Sequence, residues 1–265
     1  MAQLPAHKFT DHLFGPRAEI KLLEGNSMKL YELNWALFPR RIGIYLSEKG
    51  ITDIDRIAFD AMDPESLGRL RAVSSFGTVP VLQTEDGHKI RSSIAILEYL
   101  EDRYPQPNMI GWSPAAQART REAMSIADEA ALQLGVWAHK GSPVFAGMEE
   151  QHPATARFAA AAYLKQLERL DLVLTENQGP FLTGSENTIA DCIAMATLQF
   201  AADVYGVHLP ERLEKLRAWY EFFRQRPSAI CPPYPKGFLA VAHGLPDHGF
   251  DWSLDDVGWN AALVG

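Results

Sequence analysis

The sequence predicts a small mixed α/β domain followed by an all-helical one, and three observations support this. A strand–helix–strand run and then a strand pair with a helix fit into about 80 residues, a unit that closes as a four-stranded sheet with helices on its faces. Strand patterns stop after "YPQPNMIGWSP". Beyond that point apolar residues recur at three- and four-residue steps, the period of a helix with one buried face.

Taken in order, residues 1–27 show no sustained period and read as an extension, and residues 28–105 read as the α/β domain. "MKLYEL" is its first strand, and "PRRIGIYLSEKG" is a helix with Pro39 at its first position and Gly50 just past its end, the usual start and stop signals. "IDRIAFD" alternates as a half-buried strand does. A helix follows it. "VPVLQTEDGHKI" places two short strands around a Glu-Asp-Gly turn, and "SSIAILEYLEDRYP" returns to helix and stops at Pro105.

Residues 106–114 read as a Pro-containing linker, and residues 115–229 as the helical domain. Ser113-Pro114 is an N-cap and first-turn pair opening a long Ala-rich helix. Leu164, Leu167, Leu170 and Leu174 line a second helix, Ile189, Ile193, Ala196, Phe200 and Val204 a third, and Leu213, Leu216, Tyr220 and Phe223 a fourth. Thr188 and Asp191 form a capping box at the start of the third, so Asp191 reads as a folding residue and not as a catalyst. Residues 230–265 read as a Pro- and aromatic-rich tail, loop with one short helix.

Composition narrows the function. A net charge of −8 argues against a nucleic-acid or anionic-membrane surface. No run approaches the ~20 apolar residues of a membrane span, and the first residues lack a signal-peptide core, so a cytoplasmic protein is expected. Cys192 and Cys231 form neither a CxxC pair nor a metal spacing, so no metal site is expected, and Cys192 reads as a small buried apolar group.

Three stretches resemble one family. "FGTVPVLQTEDGHKIRSSIAILEYLEDRYP" is similar to the glutathione-binding half of a soluble glutathione S-transferase. "LTGSENTIADCIAMATLQF" and "LEKLRAWYEFFRQRPSA" are similar to the core helix of that family's second domain and the helix after it. The resemblance spans residues 28–229 and identifies the superfamily, not a class. It implies the glutathione S-transferase fold, a thioredoxin-like N-terminal domain plus an all-α C-terminal domain. It also implies glutathione as co-substrate, a homodimer, and detoxification by attack of the glutathione thiolate on an apolar electrophile.

The resemblance assigns residues as well. It implies a cis Val79-Pro80 bond whose outward Val79 N–H and C=O pair with the peptide ligand like an added strand; on residues alone, Pro80 equally opens an edge strand in trans. Ser92-Ser93 opens a helix, where free N–H groups suit a carboxylate. The family usually has Glu or Gln followed by Ser here. Ser93 matches. Ser92 cannot neutralise the γ-glutamyl ammonium, and N-capping by Ser92 is compatible with either role.

The catalyst is where the pattern departs. A free thiol of pKa near 8.5 is only a few per cent ionised at neutral pH, and lowering that by about two units takes roughly 2.7 kcal/mol. Most classes place a Tyr, Ser or Cys after the first strand. Here those places hold Glu32 and Ala36, and an ionised Glu opposes a thiolate. The remaining candidates are the amides of Arg40 and Arg41 at the helix start, the Asn34 side-chain amide and the Trp35 indole N–H. Arg40 or Arg41 adds charge if turned inward, although both more often face solvent or the domain seam. Alternatively Asn34 caps the turn and Trp35 packs at the interface. Two functions follow: a glutathione-dependent transferase, or a catalytically weak or inactive glutathione- or small-ligand-binding protein with a regulatory or stress-related role.

Overall fold

The computed structural model describes residues 27–61, 63–242 and 244–245. Strand β1 (Lys29–Glu32) leads through helix α1 (Leu37–Lys49) to β2 (Asp55–Ala58), and α2 (Pro64–Val73) leads to the β3 (Val81–Gln83) and β4 (Lys89–Ile90) pair and α3 (Ser93–Arg103). The sheet order is β2-β1-β3-β4. β2 runs parallel to β1, with Leu30 opposite Arg56, whereas β3 runs antiparallel, with Leu30 opposite Leu82. Leu30 and Leu82 are fully buried in one core cluster with Ile42 and Tyr45 of α1 and Ile96, Leu97 and Leu100 of α3. This is the thioredoxin-like arrangement.

Two strand and helix details differ from the sequence reading. β2 is exposed along most of its length, because it is an edge strand whose apolar flanks, Ile54 and Phe59, carry the burial instead. α1 starts at Leu37, so Pro39 is its third residue and not its first. α4 starts at Pro114 behind the Ser113 cap, as the sequence pair predicts.

The rest of the chain is helical: α4 (Pro114–Gly141), α5 (Pro153–Glu176), α6 (Ile189–Tyr205), α7 (Glu214–Phe223) and the short α8 (Phe238–Ala242). Ser113 caps α4 by accepting the Ala116 amide at 3.2 Å. The four leucines of α5 are buried, as are Ile189, Ile193, Ala196 and Val204 of α6. Phe200 and Tyr220 are only half-buried. At the start of α6 the Asp191 carboxylate accepts the Thr188 amide and hydroxyl, both at 2.9 Å, and closes a capping box. It also accepts the Leu182 amide at 2.9 Å and the Trp219 indole at 2.8 Å.

α1 joins the two halves. From its outer side Arg40 donates to the carbonyls of Ser228 (2.8 Å) and Ile230 (3.0 Å). Glu48 accepts two bonds from Arg226, at 2.8 and 2.6 Å, and one from the Ser228 hydroxyl. Among the described residues no helix is long and apolar enough to cross a membrane.

Candidate functional site

The turn after β1 presents a helix start with no side-chain cap. Ala36 occupies the N-cap in extended conformation (φ −75°, ψ 150°), and its methyl side chain offers no acceptor. The Arg40 amide donates to the Ala36 carbonyl at 2.9 Å, so it is spent inside the helix. This corrects the expectation that the Arg40 and Arg41 amides are free. Because the helix begins two residues earlier, its open N–H groups belong to Leu37 and Phe38, with Pro39 supplying none.

Asn34 and Trp35 are both half-buried, and neither side chain hydrogen-bonds to a described residue. Asn34 therefore does not cap the turn. Trp35 packs on the C-terminal segment, with ring centres 5.0 Å from Phe238 and 6.2 Å from Tyr234. So the start of the tail folds over the β1–α1 turn; Phe250, Trp252 and Trp259 lie outside the described residues.

Val79-Pro80 is cis and sits immediately before β3. Pro80 is buried and Val79 half-buried. The Val79 N–H and C=O lie beyond the last β1–β3 pair, Tyr31 opposite Val81, and make no hydrogen bond to a described residue. A main-chain donor and acceptor are thus left open at the mouth of the sheet.

At the start of α3, Ser92 is the N-cap, but its hydroxyl meets the Ala95 amide only at 3.5 Å. Ser93 is buried, and its hydroxyl oxygen accepts from Arg41 Nη1 at 3.3 Å. The same Nη1 meets Asp128 of α4 at 2.5 Å. Arg41 is fully buried, and its Nε and Nη2 have no hydrogen-bond partner. Burial pushes its pKa down, and the Asp128 carboxylate acts against that. A cation from α1 therefore lies beneath the α3 N-terminus. The sequence reading left the direction of Arg41 open. Its spacing was the signal, since Arg41 shares the i, i+4 face of the buried Leu37 and Tyr45.

Glu32 is also buried, but Arg56 grips it at 2.7 and 3.0 Å. That pairing lies within the sheet, between β1 and β2. Among the described residues no cluster of three or more His, Cys, Asp or Glu side chains has the arrangement of a metal site. Recesses elsewhere, such as the one of about 370 Å³ lined by Asp203, His208 and Arg217, do not include Val79 or Ser93.

The arrangement offers an open main-chain edge at Val79, a buried cation at the start of α3 and an uncapped start of α1 within one short α/β unit. Those features suit a peptide that carries a carboxylate. Residues 35–103 match the model of the glutathione S-transferase N-terminal domain, and residues 137–229 that of the C-terminal domain. Glutathione S-transferase 2 of Saccharomyces cerevisiae is 29% identical over 210 residues, 76% of this chain and 87% of that protein. A stringent starvation protein A homolog of Coxiella burnetii is 28% identical over 194 residues, 73% of this chain and 85% of that protein. The crystal structure of a glutathione S-transferase domain-containing protein from Marinobacter aquaeolei superposes with a TM-score of 0.67 at 31% identity, over 76% of this chain and all of that one. With both domains matched in order and the fold shared along the solved chain's full length, this protein belongs to the glutathione S-transferase superfamily.

Proposed function

We propose that the protein is a glutathione transferase that binds glutathione on the α/β domain (residues 28–105) and uses its thiolate on an apolar electrophile. The observation that supports this most is the pair of open Val79 main-chain groups beside the Arg41–Ser93 helix start. In this reading the cysteinyl segment pairs with Val79 beside Pro80, as a strand added to the sheet. The γ-glutamyl carboxylate meets the α3 amides with Ser92 and Ser93. Asp128, held by the same Arg41, offers the acid that Ser92 lacks for the ammonium group. The Leu37 and Phe38 amides, with Asn34 and Trp35, face the thiol and favour its ionised form. The helical domain (115–229) supplies the electrophile's wall across the linker (106–114), and the working form is a cytoplasmic homodimer with a detoxifying role.

A second reading, a binding protein without turnover, is favoured by Ala36, which puts no hydroxyl or thiol where the family places one. Calorimetry and thiolate absorbance separate the readings. Glutathione should bind, and Ser93→Ala should weaken it about tenfold, close to 1.4 kcal/mol. Absence of heat at millimolar glutathione sinks both readings. Binding with no ultraviolet thiolate band at neutral pH removes the transferase and keeps the binder.

A further inference from the structure

The helical domain carries a recess of its own, between α5, the end of α6 and α7. Its volume is about 370 Å³, and no residue of the α/β domain lines it. Small-molecule sites occupy roughly 300–1,000 Å³. One wall is apolar, formed by Leu198, Val207 and Leu209. The remainder is polar and only partly answered by the protein itself.

Tyr163 is the most buried of the polar lining residues. It is 1% exposed, yet its hydroxyl makes no hydrogen bond to a described residue. Buried hydroxyls nearly always have a partner. Tyr220 lines the same recess, and its hydroxyl is also without a hydrogen bond to a described residue; burial and then the Asp203 charge push it up to about 12. Asp203 is half-buried and accepts the Tyr234 hydroxyl at 3.3 Å through one oxygen. No basic side chain among the described residues lies within ion-pair distance of it. Burial pushes its pKa up, and the Tyr234 hydrogen bond and the Arg224 and His208 charges act against that.

The same lining holds His208 and Arg217, both exposed, whose side chains make no hydrogen bond or ion pair to a described residue. Arg224 pairs only with Glu221, at 3.3 Å. One carboxylate and two guanidinium groups thus share a recess without closing on each other. A simple anion would bring like charge to Asp203, and a simple cation would bring it to Arg217 and Arg224. A ligand carrying both signs answers both sides.

We propose that this recess binds a free α-amino acid with an apolar side chain. Its ammonium group meets Asp203 and the Tyr220 hydroxyl. Its carboxylate meets Arg217, Arg224 and the His208 ring, with the Tyr163 hydroxyl donating from the buried side. Its side chain lies on Leu198, Val207 and Leu209. The γ-glutamyl end of glutathione carries the same two charged groups, so the test includes a variant of the surface proposed for glutathione.

Calorimetry on the full-length protein compares L-phenylalanine with hydrocinnamate, which lacks the ammonium group, and phenethylamine, which lacks the carboxylate. L-Phenylalanine should bind in the submillimolar range, and each analogue at least about tenfold more weakly. Arg217→Gln, at an exposed residue with no internal bond to lose, should weaken L-phenylalanine by about tenfold. Asp203→Asn should weaken it by a similar factor and leave hydrocinnamate no weaker. Tyr163→Phe should weaken it by about fivefold. Ser93→Ala should leave it unchanged. No heat at millimolar L-phenylalanine, or equal affinity for either analogue, overturns the inference. So does binding that falls in Ser93→Ala but not in Arg217→Gln, which moves the amino acid to the α3 helix start.

Discussion

The helix starts of α6 and α1 differ in how their N–H groups are met. At α6 the Ile189 amide donates to the Met109 carbonyl at 2.9 Å, and the buried Asp191 carboxylate takes the Thr188 amide together with the Thr188 hydroxyl, the Leu182 amide and the Trp219 indole. At α1 the cap position holds Ala36, which offers no side-chain acceptor. One end is closed by the protein itself, and at the other no side chain caps the helix. A helix end that serves the fold spends its donors internally. One that serves a ligand keeps them, at a cost in stability of about 1 kcal/mol relative to a good cap.

The largest effect should come from opening the closed end. Asp191→Ala leaves two amides and an indole N–H buried without an acceptor, and should lower unfolding free energy by about 3 kcal/mol or more in chemical denaturation. Next is the link that holds the body of α1. Burial would raise the Glu48 pKa, but hydrogen bonds from Arg226 and Ser228 outweigh it and leave it below the ordinary value. A depressed folded pKa means that the contribution is complete above the ordinary carboxylate range and is lost as pH falls through the lower, folded value. Glu48→Gln should therefore cost about 2 kcal/mol at neutral pH and flatten the acid limb of a stability–pH curve. Closing the open end sharpens the contrast further. Ala36→Asp should add about 1 kcal/mol of stability, since the backbone there already has the extended cap conformation, and should weaken glutathione by about tenfold in calorimetry. The smallest effect belongs to the far end of α1, where Gly50 has φ 69° and open space around it. Gly50→Ala should cost about 1 kcal/mol or less, with glutathione affinity unchanged.

Much of this was legible because periodicity and capping are local. The α5 leucines, the Ser113 cap and the Thr188–Asp191 pair each act over a few residues, and their side chains specify their surroundings. The site was less legible because its partners are distant in sequence. Nothing near Glu32 announces Arg56 as its counter-charge, and nothing near Arg41 announces Asp128, 87 positions away. The start of α1 was misplaced by two residues because Pro39 is tolerated anywhere in a first turn, where its missing N–H is not needed. Trp219, the fourth donor to Asp191, is likewise supplied by a separate helix.

α1 also determines what can be done with the two halves. It contributes Ile42 and Tyr45 to the sheet's core and Arg40 and Glu48 to the segment after α7. Cutting the chain between Arg103 and Pro114 would leave Arg40, Arg41 and Glu48 stranded on a bare face, each stripped of the acceptor or donor that lies beyond the cut. The α/β half is thus no transplantable cassette. Grafts and fusions that keep it must carry residues through Ile230 along with it.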